Sequence, residues 1–267
     1  MNESSLLKGV QKNKIAGFLD KAAAFNKGSY DFKPRTYNFA DDRPAYTAFT
    51  KSLDAGKPAF KNAVLTKDGL NEVAMEVYTC TKCALHATRT QAVPGEGVPH
   101  PLVLLIGEGP GADEDISGRP FVGKAGQLLD KMLASIGLTR NKNCFIANIV
   151  KCRPPSNRDP IFEESEACRP FLERQIELLN PLVIMGLGKV PSRELLNTDL
   201  GITKLRGRWT EYKGIPFLPT FHPSYLLRDE TQKVLAWEDL KMLCRRLLDM
   251  DSVYAAETAE LRRIRKI

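Results

Sequence analysis

Four unbroken apolar runs punctuate the chain: LVLLIG from Leu102, CFIANIV from Cys144, PLVIMG from Pro181 and IPFLPTF from Ile215. A strand with one wet face alternates apolar and polar side chains. Continuous apolar runs this short instead mark strands covered on both faces. Between and after them the apolar positions recur at helical spacing, predicting helices near Lys124–Ile136, Phe162–Leu179, Val190–Leu196 and Lys233–Met250. Strands alternating with helices predict an α/β fold of three layers, α/β/α, around a parallel four-stranded sheet with right-handed crossovers. In such an open sheet a ligand sits beyond the carboxyl ends of the strands. That rule selects three loops: Gly107–Gly123, Asn148–Arg158 and Phe221–Arg228.

Residues 1–70 have a different texture. A weak helical pattern from Leu6 to Phe25 is followed by a segment broken by Gly, Pro, Asp and Asn, which reads as an extension of unassigned function. The strand–helix domain is expected over 71–250, and 251–267 ends in the basic cluster LRRIRKI. No run of 18 apolar residues is present, and MNESSLLKGVQKNKIAG lacks the charged leader and apolar block of an export signal, so no membrane contact and a cytoplasmic location are expected.

The chain of 267 residues carries 39 Lys and Arg against 32 Asp and Glu, a net charge of +7 that suits a polyanionic partner. Twelve basic and seven acidic residues fall in 1–70, so +5 of that excess lies outside the strand–helix region. The loop after the first strand runs against this trend. IGEGPGADEDISGRPFVGKAG, where an α/β protein would hold a phosphate, has four carboxylates within eight residues: Glu108, Asp113, Glu114 and Asp115. Amide groups at a helix start attract anions, and carboxylates repel them. The glycine spacing also fits neither a dinucleotide fingerprint nor a P-loop.

Six cysteines in a reducing compartment are better read as ligands or core residues than as disulfides. Cys80 and Cys83 form CTKC, and Cys152 and Cys168 follow at a distance. Four such thiolates suit either a tetrahedral zinc or an iron–sulfur cluster. Cys144, inside an apolar strand, and Cys244, inside an amphipathic helix, read as small core residues.

The stretches GEGPGADEDISGRPFVGKAGQLLDKML, NIVKCRPPSNRDP and FHPSYLLR, with the four cysteines in order, resemble the family 4 uracil-DNA glycosylases, iron–sulfur members of the uracil-DNA glycosylase superfamily. The resemblance spans about Val77 to Leu248. It implies a monofunctional enzyme that flips uracil out of single- or double-stranded DNA and hydrolyses the base–sugar bond, leaving an abasic site without a lysine Schiff base. A monomer is expected.

The same resemblance implies residue roles. Glu108, or else Glu114 or Asp115, would activate water and oppose the positive charge of the sugar. The backbone of Gly109, Pro110 and Gly111 would meet the uracil edge, Phe121 would stack on the base, and Asn148 would select the pyrimidine. His222, rather than His86 or His100, would hydrogen-bond uracil O2 as the base leaves. Ser224 and Arg228 would contact phosphate, and Tyr225 or Leu226 would fill the space the base vacates. Cys80, Cys83, Cys152 and Cys168 would hold a [4Fe–4S] cluster with a structural role. A DNA-binding cluster module without activity is the alternative.

Overall fold

The computed structural model describes residues 69–265. The extension expected over 1–70, with its helical stretch at Leu6–Phe25, therefore lies outside the described residues but for its last two positions. Helix α1 (Leu70–Thr79) leads through a short 3-10 turn to strand β1 (Glu96–Gly97), then to β2 (Val103–Gly107), α2 (Ala112–Ser117) and α3 (Lys124–Ala134). Next come β3 (Cys144–Asn148), α4 (Phe162–Leu179), β4 (Val183–Leu187), α5 (Lys189–Leu196) and α6 (Ile202–Leu205). The hairpin β5 (Thr210–Tyr212) and β6 (Ile215–Thr220) precedes α7 (Pro223–Arg228), α8 (Lys233–Met250), α9 (Ser252–Glu257) and α10 (Ala259–Arg265).

The sheet order is β1-β3-β2-β4-β6-β5. The four strands read from the apolar runs are its parallel centre, β3-β2-β4-β6. Two short antiparallel strands, one on each edge, extend the expected four to six. With two and three residues, β1 and β5 are too short to show a period. The turn that pairs β5 with β6 emerged only in the structure. Lys213 and Gly214 both have positive φ, +51° and +79°, and a two-residue turn of that kind matches the twist of a hairpin.

Alternate side chains of each central strand enter different cores. Val103, Leu105, Cys144, Ile146, Val183, Met185 and Leu218 pack with α3, α7 and α8. Leu104, Ile106, Phe145, Ala147, Ile184 and Phe217 pack with α1, α4 and α5. Both faces are covered, which is why the strands read as unbroken apolar runs. Cys144 and Cys244 are fully buried in the first core, as expected. Packing also continues past Met250. Tyr254 on α9 is 1% exposed, and its hydroxyl donates to the Ile136 carbonyl at 2.6 Å.

The register aligns the strand ends. Gly107 pairs with Asn148 and Leu187 with Thr220, so the residues that follow β2, β3, β4 and β6 emerge on one edge of the sheet. Two of the three expected loops contain short helices, α2 and α7, of six residues each. Their starts are marked by Gly111 and by His222–Pro223 rather than by any apolar period.

Candidate active site

A cleft of about 470 Å³ opens at this edge. It is lined by Glu108–Gly111 after β2, Phe121 before α3, Asn148 at the end of β3, and Phe221, His222, Ser224, Tyr225 and Arg228 around the start of α7. Glu114 also lines it, whereas Asp115 and Leu226, among the expected residues, are missing from the lining.

The four clustered carboxylates have divided tasks. Glu114 accepts three backbone N–H groups, from Val122 at 2.8 Å and Gly123 at 2.9 Å on one oxygen and from Gly111 at 3.1 Å on the other. It thus ties the two ends of its own loop together. Asp115 is buried and accepts the Thr90 N–H at 2.9 Å, away from the cleft. The Asp113 carboxylate lies over Gly123, where an added Cβ would meet it at 2.6 Å. Only Glu108 among the four faces the cleft with neither a backbone clamp nor burial elsewhere. Partial burial, reinforced by the Asp159 carboxylate and opposed by Lys189, pushes its carboxyl up to about 7.

The expected backbone donors need a correction. Pro110 has no N–H, and the Gly111 N–H is committed to Glu114. Of the three, only Gly109 has an N–H that no described hydrogen bond engages.

Phe121 is 6% exposed, and its ring lies 5.6 Å from that of His222 at an angle of 34°. Asn148 is 1% exposed, and its carboxamide Oδ1 is buried without a hydrogen-bond partner among the described residues. Gly107 allows both side chains to lie where they do: a Cβ there would stand 2.4 Å from the Asn148 oxygen and 2.7 Å from the Phe121 ring. An orphaned buried acceptor is costly unless a ligand supplies the missing donor.

His222 caps α7. Its Nδ1 accepts the Ser224 N–H at 3.1 Å and lies 2.8 Å from the Ser224 hydroxyl. An amide can only donate, so Nδ1 holds a lone pair and the proton of the neutral ring sits on Nε2. Burial, aided by Arg228, lowers the ring's pKa to about 4, which keeps it neutral near pH 7.

The HPSYLLR segment sorts its side chains by burial. Ser224 is engaged with His222. The Tyr225 ring packs on Phe221 at 5.1 Å, and Arg228 is exposed on the cleft rim. Leu226, expected as a wedge, is 1% exposed in the core and cannot enter DNA without unfolding α7. Its neighbour Leu227 is 40% exposed. The difference is one position on a helix, which turns a side chain through about 100°.

Cys80, Cys83, Cys152 and Cys168 line one small cavity with Lys82, His86, Arg89 and Lys151. Arg89 donates to the Cys152 sulfur at 3.0 Å, and the Lys151 N–H donates to the Cys168 sulfur at 3.3 Å. Burial raises the Cys152 thiol, and the Cys168 thiol to about 11, with Arg89 and Lys151 pulling the other way. Four soft donors ringed by N–H groups and cations suit a group that needs thiolates. Among the described residues no three His, Cys, Asp or Glu converge as ligands of one metal ion.

Sequence reasoning missed Asn157, Arg158 and Lys189 on the cleft rim. Arg158 is braced by a paired contact to the buried Glu164 at 2.8 and 2.7 Å. Lys189 starts the helix after β4, the one central strand end left out of the loop survey. The same rule that chose the other three loops would have found it.

The family model for the uracil DNA glycosylase superfamily matches residues 94–241, more than half of the chain. A type-4 uracil-DNA glycosylase of Thermotoga maritima is 44% identical over 181 residues, covering 66% of this chain and 94% of that protein. One from Archaeoglobus fulgidus is 42% identical over 168 residues, covering 60% and 84%. A protein named DNA polymerase from Bacillus phage SP01 is 30% identical over 149 residues, 56% of this chain but 16% of its own length. With its parallel sheet, its cleft at the strand ends and these relatives, the chain belongs to the uracil-DNA glycosylase superfamily, in the type-4 family.

Proposed function

We propose that this chain removes uracil from DNA by hydrolysing the N-glycosidic bond. The observation that carries the reading is the buried, unpartnered Asn148 oxygen set beside Phe121 and His222 in the cleft. Uracil offers that oxygen the N3–H donor it lacks, while its O4 accepts from the amide nitrogen. Cytosine presents the reverse pattern, an amino donor and a bare N3, and would leave the oxygen unsatisfied.

Uracil stacks on Phe121, a contact worth about 1–3 kcal/mol. As the C1′–N1 bond breaks, its electron pair moves onto the base, and the His222 Nε2–H donates to the charge gathering on O2. The sugar becomes cationic at C1′. Glu108 opposes that charge and takes a proton from the water that adds there, and the uracil anion takes up a proton from solvent as it leaves, giving free uracil and an abasic deoxyribose. Glu114 acts on the loop rather than on the substrate. Arg158, Lys189 and Arg228 supply positive charge to phosphates, and Leu227, in place of Leu226, occupies the gap left by the flipped base.

Cys80, Cys83, Cys152 and Cys168 would hold a [4Fe–4S] cluster, as the type-4 resemblance implies, and the cavity they share and the donors to two of the sulfurs support a thiolate-held group there. Its contribution would be structural: bound to these four residues, it would tie the loop that follows Asn148 to the segment after α1 and to α4. Protein as purified is expected to absorb broadly near about 400 nm; a colourless protein with stoichiometric zinc would reject the cluster.

Incubation with a uracil-containing oligonucleotide, then alkali, should give strand breaks that disappear in Asn148→Ala and His222→Ala. Intact strands with wild-type protein carrying its full metal complement would reject the enzymatic reading in favour of a DNA-binding module.

A further inference from the structure

Phe121 is among the few residues other than glycine with positive φ, at +52°. Its Cβ makes that conformation unfavourable, so something outside the residue must hold it there. The holder is Arg140, beyond α3 and 8% exposed. Its Nη1 donates to the Pro120 carbonyl at 2.8 Å and its Nη2 to the Phe121 carbonyl at 2.9 Å, so one rigid fork captures two successive peptide groups. Asp130 accepts from the same guanidinium at 3.1 and 2.9 Å, and Glu96 lies 3.8 Å away. Gly126, on α3, also admits the Phe121 carbonyl so closely that an added Cβ would sit 1.8 Å from it. Squeezed between α3 and Arg140, the peptide cannot turn over, and the ring is pressed against Gly107 toward His222.

We propose that Arg140 is a positioning residue for base recognition: it does not line the cleft, and it sets the Phe121 ring at the height where a flipped pyrimidine stacks. This rests on the uracil reading above. Without the fork, the Phe121 peptide relaxes toward negative φ, the ring leaves its place over Gly107, and the stacking surface is lost while Asn148, His222 and Glu108 stay put.

The test uses the full-length protein with its bound metal, measuring inhibition by free uracil together with kcat and KM on a uracil oligonucleotide. Arg140→Met keeps an unbranched apolar stem and loses every donor; it should weaken inhibition by free uracil at least about fivefold and raise KM more than it lowers kcat, the lower end of a lost stacking contact. In a Phe121→Ala background the same change should have no further effect on inhibition. Arg140→Lys, with one donor group, should recover part of the loss. Asp130→Ala, at a half-exposed partner, loosens the fork without emptying the core and should show a smaller shift of the same kind. Unchanged inhibition in folded Arg140→Met and Asp130→Ala would overturn the proposal, as would an undiminished effect of Arg140→Met in the Phe121→Ala background. Wild-type protein that does not release uracil from the oligonucleotide would instead refute the uracil reading itself.

Discussion

Glu108 should govern the acidic side of the pH–activity profile. Its carboxyl is pushed up to about 7 by burial and by Asp159, against the pull of Lys189. A general base acts only when ionised. With a pKa near 7, the ionised fraction is about 3% at pH 5.5 and about 76% at pH 7.5, a rise of roughly 25-fold. An ordinary carboxyl at 4.5 would already be about 90% ionised at pH 5.5 and would give an almost flat profile. His222 does not interfere, because its pKa of about 4 leaves it neutral throughout this window. The assay is single-turnover cleavage of a uracil oligonucleotide across pH 5.5–7.5 at fixed ionic strength, since DNA binding itself varies with salt. Two neighbours test the cause. Asp159→Asn should move the rise to lower pH, and Lys189→Met should move it to higher pH. Glu108→Gln should be slow and flat. A rise that survives unchanged in Glu108→Gln, or a wild-type profile already level at pH 5.5, would refute the assignment of this carboxylate as the base.

Three further outcomes follow from the geometry. Glu114→Ala removes three backbone hydrogen bonds to a carboxylate that is only partly exposed, so it should cost about 2–4 kcal/mol of stability. The melting temperature should then fall by about 5–15 °C; an unchanged melt with activity abolished would mean that Glu114 acts in the chemistry. Leu226→Ala should destabilise the fold by about 2–5 kcal/mol, while Leu227→Ala should leave the melt within about 0.5 kcal/mol equivalent and lower kcat/KM on duplex more than on single-stranded substrate. Cys168→Ser should abolish the visible absorbance and lower the melting temperature, and a variant that kept full colour would remove Cys168 from the ligand set.

The apolar runs and helical periods determined the parallel centre of the sheet, and two helices, Phe162–Leu179 and Lys233–Met250, were legible to the residue. That follows from physics acting over a few residues: a strand buried on both faces has to be apolar throughout, and an amphipathic helix has to repeat every third or fourth residue. The strand-end rule then located three sides of the cleft, and the motif residues Phe121, Asn148 and His222 met there. The tertiary structure decided what local pattern could not carry. Four carboxylates in eight residues look alike in the chain, yet contacts from Thr90, Gly111, Val122 and Gly123 make structural ties of Asp115 and Glu114 and leave Glu108 as the cleft acid without a backbone clamp. Leu226 and Leu227 are identical in type, and a turn of one helical position against the core assigns one to the interior and the other to solvent. The left-handed turn at Phe121 depends on an arginine nineteen residues away. Distances of that kind are set by packing between elements, which leaves no period in the sequence.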